Sequence, residues 1–195
     1  LCLFLHHKSF ETMKKILVFA SGSGTNAENI IRHFKSTGIA SVVAVFTNKA
    51  DAQVIQRAEK YHVTTQVFSK NDLETGKVLQ KINAIQPDLI VLAGFLLKFP
   101  ESIVTSYTDK IINIHPALLP KYGGKGMYGM HVHNAVVANK EPKTGITIHY
   151  VNENYDEGNI IFQKEVTVLI SDTPEVVAAK IHELEQDHFP VVIEK

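Results

Sequence analysis

Residues 15–31, KILVFASGSGTNAENII, contain a predicted strand, a loop and the beginning of a helix. Lys15 to Ala20 form an apolar, β-branched run that is typical of a buried parallel strand. The glycine-rich segment SGSGTN interrupts this run, and Ile30, Ile31 and Phe34 then follow at helical spacing. The unit predicts the beginning of an α/β fold.

The alternation of strands and helices continues to residue 115. Apolar runs separated by helix-spaced segments are the pattern of β–α units, so an α/β, doubly wound, mostly parallel sheet is predicted. One helix is predicted to open with a capping box of Asn71 and Glu74 and to end before Pro87. The other predicted elements are strands SVVAVFTN (41–48), VTTQVF (63–68), DLIVLAGF (88–95) and KIINIH (110–115), and helices over about 51–61 and from Pro100.

The C-terminal part of the chain has a different pattern. TGITIHYV (144–151) alternates in polarity, which predicts a half-exposed strand. NIIFQKEVTVLI (159–170) is its predicted antiparallel partner across the polar turn NENYDEG (152–158). A last helix is predicted to open at Asp172–Pro174, with Pro174 at its first position. The expected fold is therefore a Rossmann-like sheet with an antiparallel C-terminal hairpin.

Composition restricts the class of protein. With 195 residues, 45% of them hydrophobic, one domain over residues 13–195 is expected, and residues 1–12 are interpreted as an extension that the fold does not need. The apolar run in that extension is too short to span a membrane. A formal net charge of zero does not favour a nucleic-acid partner. Cys2 is the only cysteine, which excludes an intrachain disulfide and fits a cytoplasmic location.

The glycine-rich loop is a candidate anion site. Small residues between a strand and a helix N-terminus can surround a phosphate, and Gly24, Thr25 and Asn26 suit a monophosphate. Residues 22–27 also fit the dinucleotide pattern G-x-G-x-x-A, but no acidic residue ends the second strand to bind a ribose. A tight turn without a ligand is the remaining alternative.

The predicted fifth strand ends in polar residues. Asn113 and His115 lie two residues apart, so they point the same way and offer an amide donor beside a group that titrates near neutrality. In open α/β sheets ligands bind at the carboxyl ends of strands, where the glycine loop and AGFLLKF (93–99) should also lie. Asp156 joins this group if the hairpin turn folds over that edge. The alternative is a strand that ends in a hydrogen-bonded Asn and a surface His.

The long segment ALLPKYGGKGMYGMHVHNAV (117–136) follows, and its glycines predict a mobile wall of the site. His131 and His133 within it are candidate metal ligands. No acidic or cysteine residue stands nearby in the sequence, so hydrogen bonding or packing is the favoured interpretation.

SGSGTN, VLAGF, NIHPALLPKY and YDEGNII, in this order and spacing, resemble the glycinamide ribonucleotide transformylase (phosphoribosylglycinamide formyltransferase) branch of the folate-dependent formyltransferases. The resemblance covers Lys14 to Glu194. It implies one formyltransferase domain over 13–195. It also implies an enzyme of de novo purine biosynthesis that transfers a formyl group from 10-formyltetrahydrofolate, as cosubstrate, to the amine of glycinamide ribonucleotide.

The resemblance also implies roles for particular residues, and the reaction requires no metal. Catalysis is expected of Asn113, His115 and Asp156, which would stabilise an oxyanion and move a proton. Gly24, Thr25 and Asn26 are expected to bind the phosphate, and Glu185 is expected to contact the glycinamide. The folate pocket falls on Leu96, Leu97, Lys98, Phe99, Asn152, Glu153, Asn154 and Tyr155.

Three other functions remain as alternatives. A formyltetrahydrofolate deformylase has the same catalytic residues but usually an N-terminal regulatory domain, for which twelve residues leave no room. A methionyl-tRNA formyltransferase should carry an added nucleic-acid-binding domain and a basic surface. A noncatalytic nucleotide-binding module would explain the glycine loop but not the three polar residues together. No pattern in the sequence predicts an oligomeric state.

Overall fold

The computed structural model describes residues 13–195, so the interpretation of residues 1–12 as an extension lies outside the described part. These residues form a seven-stranded sheet in the order β3-β2-β1-β4-β5-β6-β7. The first five strands are parallel, and β5–β6 and β6–β7 are antiparallel, as predicted. The strands are β1 (Lys14–Phe19), β2 (Ala40–Thr47), β3 (Thr64–Val67), β4 (Leu89–Leu92), β5 (Ile111–His115), β6 (Lys143–Tyr150) and β7 (Ile160–Thr167).

Helices cover both faces of the sheet. Along β1, Ile16 and Val18 pack in one apolar layer and Leu17 and Phe19 in the other, because successive side chains of a strand point to opposite faces. The first layer contains buried residues of α1, α2, α6 and α7, and the second those of α3, α4 and α5. The helices are α1 (Thr25–Thr37), α2 (Val54–Glu59), α3 (Lys70–Glu74), α4 (Lys77–Ile85), α5 (Glu101–Ser106), α6 (Met130–Ala138) and α7 (Pro174–Glu194).

The helix predicted from residue 71 is instead two helices with a different cap. Ser69 Oγ accepts a hydrogen bond from the Asp72 N–H, and the Asp72 carboxylate accepts one from the Ser69 N–H. This reciprocal pair is the capping box, so the assignment to Asn71 and Glu74 was wrong. Gly76, at φ 83°, separates α3 from α4, because a left-handed residue interrupts helical geometry. The prediction of Pro174 in the first turn of the last helix is confirmed.

The prediction that β6 is half exposed was wrong. Residues 144–149 are all buried, since both faces of this strand are covered. Ile146 and Ile148 pack in the layer of α6 and α7. Thr147 and His149 lie on the opposite face, and their exposed fractions are 0% and 2%.

The strand order places a crevice at the carboxyl edge of the sheet. β2 and β3 extend to one side of β1, whereas β4 and β5 extend to the other. The connections after β1 and β4 therefore leave the sheet in opposite directions, and such a switch point is where open α/β sheets bind ligands. No helix of residues 13–195 is long and apolar enough to cross a membrane.

Candidate active site

A cavity of about 700 Å³ lies at the switch point. The predicted residues come together in it: the glycine loop, Asn113, His115, Asp156, Glu185 and all four residues of the 96–99 segment line its wall. Asn152, Asn154 and Tyr155 line it as well. Glu153 is exposed and lies outside the lining, so it is the one residue of the predicted folate pocket that the structure does not bring to the cavity.

Strand β5 aims its polar residues at the cavity by simple alternation. Ile112 and Ile114 belong to the layer of α1, α6 and α7, and Ile111 belongs to the other layer. Asn113 and His115 share the face of Ile111, beyond the end of the layer that α3–α5 cover. The apolar residues thus anchor the strand while the polar ones line the cavity.

His115 is buried, with 3% of its surface exposed, and each ring nitrogen faces an oxygen. Nε2 lies 2.7 Å from the backbone carbonyl of Tyr122, to which it donates. Nδ1 lies 3.5 Å from Oδ2 of Asp156. Burial lowers the pKa of His115 below its usual value, and the nearby charge of Asp156 only partly opposes this effect. The ring is therefore uncharged near neutral pH, yet it has two acceptors in place for the charged form.

The turn between β6 and β7 folds back over this face of the sheet and brings Asp156 to the histidines. Asp156 adopts a left-handed conformation, with φ 57°. Its Oδ2 accepts the Gly124 N–H at 2.9 Å, and its Oδ1 lies 3.6 Å from His149 Nε2. Burial raises the pKa of Asp156, but His149 and His115, which are protonated at the low pH where a carboxyl titrates, and the Gly124 N–H lower it by more, so the carboxylate remains charged.

His149 is a site residue that the sequence did not reveal. It lies directly opposite Asn113 in the β5–β6 ladder. Its Nδ1 donates to the Tyr150 carbonyl at 2.8 Å, which leaves Nε2 as an acceptor for the Asn113 amide at 3.2 Å. His149 therefore fixes the orientation of the Asn113 carboxamide.

Thr147, which lies opposite His115 on β6, fixes the path of the chain after β5. Its hydroxyl donates to the Ala117 carbonyl at 2.6 Å and accepts from the Leu119 N–H at 3.0 Å. Gln163 donates to the same hydroxyl at 2.9 Å. The segment that leads to Tyr122 is thus held to the sheet by two buried hydrogen bonds of Thr147.

Tyr122 itself is held from the other side. Its phenol donates to Glu141 Oε1 at 2.9 Å, and Lys121 pairs with the same carboxylate at 3.0 Å. This anchor keeps the Tyr122 carbonyl on His115.

The glycine loop approaches α2 closely. Gly24 has φ 74°, and a Cβ at this position would lie 2.4 Å from the side chain of Val54. Only glycine meets both conditions. The loop opens α1, whose first N–H groups have no partner within the helix and can bind an anion.

The side chain of Asn26, which is predicted to bind phosphate, also makes contacts within the protein. Its Nδ2 donates to Glu185 Oε2 at 2.9 Å, and its oxygen accepts from Gln186 at 2.7 Å. The carboxamide thus links α1 to α7 and orients Glu185 at the cavity wall. His182 Nδ1 lies 3.7 Å from the same carboxylate, and this contact raises the pKa of His182.

The 96–99 segment forms an apolar wall of the cavity. Phe99 is buried and packs edge-on against Phe19, with ring centroids 4.9 Å apart. Leu96 is exposed within the lining. Lys98 Nζ lies 5.6 Å from the centroid of the Tyr155 ring, a cation–π contact that joins this wall to the 152–156 turn.

The two histidines of the long segment have different surroundings. His131 is exposed and packs edge-on against Tyr128. His133 lies on α6, is 5% exposed and lines the cavity, and burial lowers its pKa. Over residues 13–195 there is no group of three His, Cys, Asp or Glu residues that could hold a metal ion. His131 thus packs outside the cavity lining and His133 within it, and hydrogen bonding or packing stays the favoured interpretation.

Known proteins are similar to this chain in fold and in sequence. The structure is similar to glycinamide ribonucleotide transformylase 1 from Geobacillus kaustophilus, with a TM-score of 0.84 and 33% identity, over 93% of this chain and 97% of that one. Phosphoribosylglycinamide formyltransferase of Bacillus subtilis is 35% identical over 189 residues, which are 94% of each chain. The chloroplastic enzyme of that name from Arabidopsis thaliana is 37% identical over 90% of this chain, which spans 62% of the plant protein's length. A family model described as formyl transferase matches residues 14–193. The chain therefore belongs to the formyl transferase family.

Proposed function

We propose that this protein transfers a formyl group from 10-formyltetrahydrofolate to the amine of glycinamide ribonucleotide. One observation carries the proposal: a single cavity is lined by the glycine loop at the N-terminus of α1, by the apolar 96–99 wall, and by the polar side chains of Asn113, His115 and Asp156. The names of the relatives in Bacillus subtilis and Geobacillus kaustophilus support the same reaction.

The reaction joins the substrate amine to the formyl carbon and generates an oxyanion on the formyl oxygen. Asn113 is positioned to donate a hydrogen bond to that oxygen, because His149 holds one amide N–H and the residue lines the cavity. A donor of this kind typically accelerates the reaction by about 10²–10³-fold. His149 acts through Asn113 and is therefore a positioning residue.

The attacking amine must lose a proton as the new C–N bond forms, and the departing folate nitrogen must gain one. His115 is uncharged near neutral pH and can hold that proton at Nδ1, between its ring and Asp156. The resulting imidazolium is stabilised by the Asp156 carboxylate and the Tyr122 carbonyl. Collapse of the intermediate breaks the bond to the folate nitrogen and returns the proton there.

The two ends of the cavity fit the two substrates. The Gly24–Asn26 loop at the N-terminus of α1 suits the phosphate of the ribonucleotide, and Glu185 suits the polar glycinamide. Leu96, Leu97 and Phe99 offer an apolar slot for the flat pterin. Asn152, Asn154 and Tyr155 face that slot from the turn before Asp156.

The test is to measure tetrahydrofolate release from 10-formyltetrahydrofolate with and without glycinamide ribonucleotide. We expect release to depend on the ribonucleotide and to match the amount of formylated product. Equal release without the amine acceptor would indicate water as the acceptor, as in a deformylase, and would overturn the proposal. Binding of both ligands without release would indicate a noncatalytic module.

A cytoplasmic location is also proposed, on the ground that a single cysteine suits a reducing compartment. The relative from Arabidopsis thaliana is named chloroplastic, so the location is best tested directly by fractionating cells and measuring the activity in each compartment.

A further inference from the structure

The glycine loop, which leads into α1, is also hydrogen-bonded to α2. Arg57 Nε donates to the Ser23 carbonyl at 2.9 Å, and the Val54 N–H donates to the Gly22 carbonyl at 3.2 Å. Both donors lie on α2, one turn apart. Two consecutive carbonyls of the loop are therefore directed toward this helix.

The direction of these carbonyls determines where the next N–H groups point. In a trans peptide the N–H is antiparallel to the carbonyl of the preceding residue. The N–H groups of Ser23 and Gly24 must then point away from α2, and both residues line the cavity. Arg57 thus orients the peptide between Ser23 and Gly24, whose N–H points away from α2 on the side of the cavity.

Arg57 also balances an unfavourable charge. Glu28 lies in the first turn of α1, where a negative charge opposes the binding of an anion at the same helix terminus. The Arg57 guanidinium forms an ion pair with Glu28, and Lys60 Nζ lies 3.8 Å from its other oxygen. The side chains of Arg57 and Glu28 are only 29% and 19% exposed, so solvent screens this pair weakly.

We propose that Arg57 is a positioning residue for the phosphate of the ribonucleotide substrate: it orients the Ser23–Gly24 peptide and neutralises Glu28 without touching the substrate. The proposal rests on the proposed function, because it takes the phosphate of that substrate as the bound anion. The Val54–Gly24 packing does not depend on Arg57, so the loop keeps its contact with α2 when the guanidinium is removed.

The experiment compares Arg57→Gln, Arg57→Lys and Glu28→Gln with the unaltered protein. Calorimetric titration gives the Kd for glycinamide ribonucleotide and, separately, for the folate cosubstrate. Because Arg57→Gln removes a charge-assisted hydrogen bond and leaves Glu28 with only the more distant Lys60 as an ion-pair partner, we expect the Kd for the ribonucleotide to rise about tenfold or more. We expect the Kd for folate to change less than about twofold, since the 96–99 wall is untouched.

The other variants separate the two effects of Arg57. Arg57→Lys retains the charge but lacks Nε–H, so its Kd should lie between those of Arg57→Gln and the unaltered protein. Adding Glu28→Gln to Arg57→Gln should recover part of the lost affinity for the ribonucleotide, because it removes the negative charge that repels the phosphate. Arg32→Gln, at an exposed arginine of α1 that bonds only Asn29 in the described structure, is the matched control and should leave both Kd values unchanged.

The outcomes are distinguishable. If the unaltered protein does not bind glycinamide ribonucleotide, the proposed function fails and Arg57 is not in question. If it binds and Arg57→Gln binds equally well, the inference about Arg57 is overturned. Equal weakening of both ligands together with a lower Tm would indicate a purely structural role and would overturn it as well.

Discussion

Replacing Asp156 with asparagine removes one charge from the centre of the candidate site and changes little else. Asparagine has nearly the same size, tolerates the left-handed φ of 57°, and retains an oxygen for the Gly124 N–H. What is lost is the attraction between a carboxylate and the imidazolium that His115 becomes in the proposed mechanism. Any change in turnover therefore reports on that charge.

The structure sets the size of the expected effect. At the 3.5 Å separation of Asp156 Oδ2 and His115 Nδ1, opposite charges attract by about 5 kcal/mol at an effective dielectric constant of about 20. Screening by the cavity, if it halves this energy, leaves about 2.5 kcal/mol, which corresponds to a rate change of roughly 70-fold. We therefore expect kcat to fall about 100-fold in Asp156→Asn.

The assay is the conversion of 10-formyltetrahydrofolate at saturating glycinamide ribonucleotide, with the Kd of the ribonucleotide measured in parallel. The Kd should change less than about threefold, because the glycine loop proposed to bind the phosphate is unaltered. Glu157→Gln is the matched control, since the neighbouring acid is exposed and lies outside the cavity lining. A folded Asp156→Asn protein with near-normal kcat would remove Asp156 from the mechanism.

Two other predictions concern histidines. In His149→Ala the Asn113 carboxamide loses its acceptor, so kcat should fall at least about tenfold with little change in either Kd. His188→Ala, outside the cavity lining, is the control. An unchanged kcat in His149→Ala would contradict the positioning role. Burial lowers the pKa of His133, so the unfolded state takes up a proton first as the pH falls through about 6.5. The free energy of unfolding, from urea denaturation, should therefore fall less between pH 7.5 and 5.5 in His133→Gln than in the unaltered protein, and equal losses would refute this.

Much of this site could be predicted from sequence because it lies where strands end. Asn113 and His115 follow an apolar strand, and the rule that ligands bind at the carboxyl edge placed them beside the glycine loop before any contact was known. Asp156 was a weaker candidate from its local sequence alone, since acidic residues are common in turns. Its position depends on the fold of the turn over the sheet, which the family resemblance implied and local sequence did not.

His149 was missed for a physical reason. On a strand with one face in the core, a polar residue on the other face is usually interpreted as facing water. Here that face is covered by the segment after β5 at Thr147 and by the cavity residues at His149, so both are buried while their alternation still resembles that of an exposed strand. Burial by a functional pocket leaves no periodic signal.

The role of Asn26 was also beyond local reasoning. Its sequence position suggests a side-chain donor for phosphate, and that role stays a prediction. The local sequence did not reveal that its carboxamide also bonds Glu185 and Gln186, on a helix about 160 residues later. Long-range pairing of this kind has no trace in a local pattern. The capping box was assigned to the wrong pair for a local reason: Ser69 and Asp72 have the same three-residue spacing as Asn71 and Glu74.

The hydrogen bond between His115 and the Tyr122 carbonyl has a consequence for how this site tolerates genetic change. A main-chain carbonyl is present whatever residue the codon specifies, so no substitution at position 122 deletes the acceptor itself. A one-residue insertion or deletion between the two positions, which are seven apart, would carry the carbonyl away from the ring. Natural variation in the segment from His115 to Tyr122 should therefore be constrained in length more strictly than in composition.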